Sequence, residues 1–218
     1  MIKKEYLVIS LVLVILVAAS AAIIYTNGTQ ESAQRPTGSI VPTPSPMILT
    51  SDEQVSAFTA LEIANNSESV STWMSTNRGS VAVESISTEA SVGGKSGVWT
   101  IIYAGSPNKA GVQVTGTGVN LTTLPGSFPA HTLDIAGLID SDRAISLSND
   151  ILNKEGYTPT GPASAELSYM GPYAGVWDLS FPVGNDYYVI RLDAKTGSLI
   201  GKSIVGAGGV KTQSSSLG

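Results

Sequence analysis

The chain echoes itself, and that echo limits its folds more than any other feature of the sequence. Gly97-Val98-Trp99 reads again as Gly175-Val176-Trp177, and Val112-Gln113-Val114 falls opposite Ile190-Arg191-Leu192; both pairs are 78 residues apart (175 minus 97, 190 minus 112). Two spaced matches in register point to a repeated supersecondary unit. Upstream, the stretch from Val81 to Ser87 resembles that from Ala163 to Tyr169 at a spacing of 82 (163 minus 81), which sets Glu84 and Glu166 at equivalent strand positions. A helical pattern precedes each copy.

The helices have physical support in the sequence. Ser51 with Gln54 forms a capping box, and Ala57, Phe58, Leu61 and Ala64 then fall on one helical face. Asp140, Ser141 and Asp142 open another helix, where acidic residues favour the N-terminal dipole; Ala144, Ile145, Leu147, Ile151 and Leu152 make its apolar stripe and Gly156 ends it. Residues 65–77 predict a further short helix around Val70, Trp73 and Met74. The strands alternate: Trp177, Leu179 and Phe181 point one way and Val176, Asp178 and Ser180 the other, with Tyr188, Ile190 and Leu192 opposed to Val189, Arg191 and Asp193. In Asp193-Ala194-Lys195-Thr196-Gly197 the Asp side chain caps a turn and Gly takes positive φ, so that Ser198 to Val205 returns as a strand; Thr115-Gly116-Thr117-Gly118 is the corresponding turn of the first half. The expected fold is α+β: two tandem helix-plus-antiparallel-sheet (αβββ) repeats over residues 51–125 and 140–205. A connection over 126–139 joins them, and a disordered tail over 206–218 follows.

The helix, the tryptophan strand and the run YYVIRLDAKTGSLIG of the second half resemble a PepSY-type domain, whose final hairpin reads as an apolar strand, Asp, a short turn with Thr-Gly and a further strand. The resemblance covers residues 140–205; the first half, which lacks the Asp between Val112 and Val119, carries it poorly. It implies tandem α+β modules in an exported or membrane-anchored protein that binds or inhibits peptidases or regulates the cell envelope.

From Leu7 to Ile24 the chain runs 18 residues broken only by Ser10 and Ser20, with Lys3 and Lys4 before it and Tyr6 and Tyr25 at its ends. At about 1.5 Å of rise per residue the run reaches about 27 Å, close to a hydrocarbon core of roughly 30 Å. The lysines put residues 1–5 in the cytoplasm and the tyrosines sit where aromatic belts sit. This predicts a transmembrane signal-anchor helix over 6–25. The competing reading is a cleaved signal peptide, since Ala18, Ala19, Ser20, Ala21 and Ala22 offer small-residue cleavage sites. Both readings export the rest of the chain. Residues 26–50 turn to Thr, Ser, Gln and Pro, ending in Pro42, Pro44 and Pro46, and predict a solvated, semi-rigid stalk. Asn27, Asn65 and Asn120 head N-x-S/T sequons, consistent with export.

Chemistry is sparse by comparison. A net charge of -5 with 13% charged residues offers no basic field for a nucleic acid. The absence of cysteine removes disulfides, thiolate nucleophiles and Cys-based metal sites. His131, the single histidine, lies in the connection and reads as a surface or linker residue with no partner for a triad. Ser106-Pro107-Asn108-Lys109 matches S-x-x-K but falls between strands instead of opening a helix, and Gly94-Lys95-Ser96 leads into a strand where a phosphate loop needs a helix. Asp134, Asp140 and Asp142 lack calcium-loop spacing, and the last two are already explained as helix-start residues. Trp99, Tyr103, Trp177 and Tyr188 read as core on amphipathic strands, with an aromatic binding platform as the alternative.

The expectation is therefore a non-catalytic, membrane-anchored extracytoplasmic binding or regulatory module, with no cofactor, no metal and no nucleic acid. Its partners are the membrane, through residues 6–25, and a peptide, peptidase or other envelope protein. The candidate binding face comprises Glu84, Glu166, Asp178, Arg191 and Asp193. The alternative is a structural envelope surface protein without a specific client.

Overall fold

Nine strands and three helices make up the described part of the chain, which in this computed structural model is residues 53–77, 81–126, 129, 131–206 and 209–215. The helices are α1 (Ala57–Asn65), α2 (Glu68–Thr76) and α3 (Ser141–Lys154). The strands are β1 (Ala82–Ser91), β2 (Val98–Ala104), β3 (Asn108–Thr115), β4 (Gly118–Pro125), β5 (Ala163–Met170), β6 (Tyr173–Val183), β7 (Asp186–Asp193), β8 (Leu199–Gly206) and β9 (Gly209–Ser215). The expected membrane helix over 6–25, the stalk over 26–50 and the capping residue Ser51 lie outside the described residues. Among the described residues no helix is long and apolar enough to cross a membrane.

The strands form one antiparallel sheet in the order β4-β3-β2-β1-β5-β6-β7-β8-β9. This overturns the expectation of an α+β chain built from two tandem αβββ repeats. Each half supplies four consecutive strands, β9 adds a fifth to the second half, and β1 pairs with both β2 and β5. The physical reason is edge satisfaction. A separate repeat would leave the outer edges of β1 and β5 with unpaired backbone donors and acceptors, and here those edges bond to each other. Residues expected in the tail contribute β9, which pairs with β8 from Gly206↔Gly209 to Gly201↔Ser215.

The core lies on one face. Trp99 pairs with Val114, Ile86 with Ile101 and Leu167, and Leu167 in turn with Trp177, so these side chains share a side of the sheet. All are buried, together with Leu179, Ile190 and Leu192, and the helices cover them with Ala57, Ala60, Leu61, Val70, Trp73, Ala144, Ile145 and Leu152. Trp99 Nε1 donates to the Val55 carbonyl at 2.8 Å, just before α1, and Trp177 Nε1 to the Ile139 carbonyl at 2.9 Å, just before α3. Burying a tryptophan contributes up to about 4–6 kcal/mol by area, against about 1 kcal/mol for its hydrogen bond. Burial therefore fixes where each ring sits, and the hydrogen bond fixes how it is turned.

Helix starts tie the halves together. α1 begins at Ser56, whose hydroxyl accepts from the Thr59 N–H, five residues later than the expected Ser51. Its next free donors go across the molecule: the Ala57 N–H to Ser141 Oγ at 2.9 Å and the Phe58 N–H to Asp140 Oδ1 at 3.1 Å. Ser141 Oγ–H donates to the Gly94 carbonyl at 2.6 Å, clamping the β1–β2 hairpin to the same point. Nine-residue helices such as α1 and α2 are marginal alone, so packing on the sheet and these bonds hold them.

Candidate functional site

The sheet face turned away from the helices carries small and polar side chains together with the apolar Ile102, Val176 and Val189. Cross-strand partners make one row over it: Gln113, Thr100, Ser87, Glu166, Asp178, Arg191 and Gly201. A second row places Ser85 opposite Ser168 and Ser168 opposite Val176. Along the central β1–β5 seam the side chains of this face are Ser85, Ser87, Ser164, Glu166 and Ser168, which leaves a trough where larger residues would stand. A cavity of about 360 Å³ opens there, lined by Glu84, Ser85, Pro129, His131, Glu166, Ser168 and Tyr169.

The expected site residues fall into four situations. Glu84 is in the irregularity of β1 between Val83 and Ser85, and both its oxygens meet Lys109 Nζ, at 2.7 Å for Oε1 and 2.6 Å for Oε2. Asp178 and Arg191 face each other on β6 and β7 and form an ion pair at 2.5 Å. Glu166 has neither a hydrogen bond nor a cation among the described residues. Burial of its carboxyl raises its pKa above the ordinary carboxylate value, and the negative charges of Asp178 and then Glu89 raise it further. The residue as a whole is exposed, so solvent screens part of that repulsion.

Asp193 does something else. Its Oδ1 accepts from the Lys195 N–H at 2.8 Å and its Oδ2 from Thr196 Oγ1 at 2.9 Å, so both oxygens are occupied in holding the β7–β8 turn. The equivalence expected between Glu84 and Glu166 is absent too. Against the tryptophan strands, Glu166 faces Asp178, the residue after Trp177, whereas the residue facing Thr100, the one after Trp99, is Ser87; Glu84 sits in the irregularity between Val83 and Ser85.

Two residues escaped sequence reasoning. The connection returns along the sheet by a Leu133 N–H to Val83 carbonyl bond of 2.9 Å, which brings His131 onto Tyr169 as a stacked pair with ring centroids 4.5 Å apart and planes at 18°. His131, read as a linker histidine, thus walls the cavity with Pro129 and Tyr169. Its partner is 38 residues away (169 minus 131), and no local pattern announces such a contact.

The remaining sequence signals resolve into structure. Trp99, Tyr103, Trp177 and Tyr188 are buried in the core and form no exposed platform. The Tyr103 hydroxyl donates to Asn65 Oδ1 at 2.7 Å and the Tyr188 hydroxyl to Glu155, and burial pushes the pKa of both phenols up. Ser106 lies in the β2–β3 turn. Gly94 and Lys95 belong to the β1–β2 hairpin, while Asp134 caps the Ala136 N–H and Asp140 that of Ser141. Among the described residues no group of three His, Asp or Glu side chains is placed to hold a metal ion.

No family model matches the chain, and no curated protein matches it in sequence. Among solved structures it is similar to the crystal structure of a candidate lipoprotein from Clostridium difficile 630, at 12% identity and a TM-score of 0.47, over 63% of this chain and 90% of that one.

Proposed function

We propose that the chain is a membrane-tethered, extracytoplasmic, non-catalytic binding or regulatory module whose open sheet face engages a peptide or an envelope protein. The observation that carries this reading is the cavity on the β1–β5 seam, where a carboxylate without a counter-ion sits beside a His131–Tyr169 stack and small hydroxyl side chains. A concave polar-aromatic site on a rigid sheet is a recognition geometry. The apolar run from Leu7 to Ile24 with its flanking lysines supports the tether, and the PepSY-type resemblance of residues 140–205 supports peptidase binding as the class of partner. A non-catalytic role fits the engagement of the side chains that come closest to a catalytic set: Lys109 is clasped by Glu84, and Asp140 and Asp193 cap backbone.

The test is site-specific photo-crosslinking of the full-length chain in its native membranes, with the photoreactive residue at Ser168 inside the cavity and, as control, at exposed Val210 on β9. A discrete polypeptide adduct from position 168 and none from 210 is the expected result. Equal, diffuse labelling from both positions would remove the binding reading.

A further inference from the structure

We infer that the open-face cavity takes the side chain of a lysine or arginine from an extended polypeptide segment lying along the β1–β5 seam, with Glu166 as its counter-ion. This rests on the binding-module reading above and names its chemistry. Around the cavity, acids are neutralised from within the sheet: Glu84 by Lys109 and Asp178 by Arg191. Of the two acids that line the cavity, Glu84 and Glu166, only Glu166 lacks such a partner, and both groups that act on its charge, Asp178 and Glu89, are acidic. An ionised carboxylate in a recess gains most from a cation supplied from outside.

The shape of the site selects an extended donor. Ser85 and Ser87 on β1 and Ser164, Glu166 and Ser168 on β5 recur at every second residue, the period of an extended chain. From Ser164 to Ser168 the trough runs about 13 Å at about 3.3 Å per residue, room for a peptide of about five residues. The hydroxyls of Ser85 and Ser168 make no hydrogen bond to any described residue and are available to a peptide backbone, each acting as donor or acceptor. The stacked His131 and Tyr169 line the same cavity and offer aromatic surface for the methylene stem of a Lys or Arg chain. An acidic segment would meet Glu166, Glu89 and Asp178 with like charge, so the face discriminates by repulsion as well as attraction.

The experiment titrates the full-length chain, purified in detergent, with three end-capped nine-residue peptides of alternating Ser and X, where X is lysine, norleucine or glutamate. The lysine peptide is expected to bind roughly five- to tenfold tighter than the norleucine peptide. That margin should vanish in Glu166→Gln and persist in Glu62→Gln, which removes an exposed acid on α1. Retained cooperative thermal unfolding of Glu166→Gln shows that the variant is folded. Equal binding of lysine and norleucine peptides, or an unchanged margin in Glu166→Gln, overturns the inference. If no peptide binds while photo-crosslinking from Ser168 still captures a polypeptide, the basic-residue inference fails and the binding reading stands; if neither gives a signal, both fail.

Discussion

At the scale of single residues, Glu166 ties stability to pH. Its pKa is raised in the folded protein above the reference of 4.5, so folding favours the protonated carboxyl. The stabilisation is present in full below the unfolded pKa and is lost as pH rises through the folded one. Glu166→Gln mimics the protonated form at every pH. We expect the variant to melt about 1–3 °C above the parent at pH 7 and together with it near pH 4, the small size reflecting solvent screening of an exposed group. Thermal unfolding followed across that range checks this, and a gap that does not change with pH would contradict it. The same charge that costs stability is the one proposed to recognise a cation, the usual trade at a binding site.

At the scale of elements, the β1–β2 hairpin and the start of α3 are one joint. Gly94 has φ +82°, and a Cβ there would lie 2.2 Å from the Asp142 Cα and 2.4 Å from its nitrogen. Side chains rarely adopt that φ, and these neighbours are backbone, which cannot step aside. Gly94→Ala should therefore cost about 3 kcal/mol in urea unfolding, and a loss below about 1 kcal/mol would show that the hairpin is free to lift off. The joint also explains why α1 starts where it does. Ser51 and Ser56 each have a hydrogen-bonding residue three positions on, Gln54 and Thr59, and the sequence alone does not rank them. Asp140 and Ser141, folded from the other half, reach the N–H groups of Phe58 and Ala57 and settle the start at Ser56.

At the scale of the whole molecule, the shared sheet makes the halves dependent. Fragments 53–126 and 131–215 would each lose the β1–β5 ladder, and the first would also lose its α1 partners Asp140 and Ser141. Neither should show a cooperative transition alone, whereas mixing them should restore one, read through the near-ultraviolet signal of the buried Trp99 and Trp177. Independent cooperative unfolding of either fragment would contradict a continuous sheet and favour separable modules.

What local chemistry dictates was legible in the residues themselves. The Asp193 turn with Gly197 at φ +74°, the α3 start at Asp140 and the inward set Trp177, Leu179 and Phe181 depend on neighbours a few positions away, and capping, positive φ and two-residue alternation report them. Alternation also set Asp178 and Arg191 opposite the inward residues of their own strands, while strand pairing puts Glu166 on the same face as both. Which strand lies beside which was decided only in the assembled protein. The β1–β5 ladder, the Lys109 clasp on Glu84 and the His131–Tyr169 stack join residues 25 or more positions apart, and their geometry exists only once backbone edges have found partners. Two αβββ units and one nine-stranded sheet use nearly the same local pattern; the energy of leaving two strand edges unpaired separates them, and no single segment of sequence contains that term.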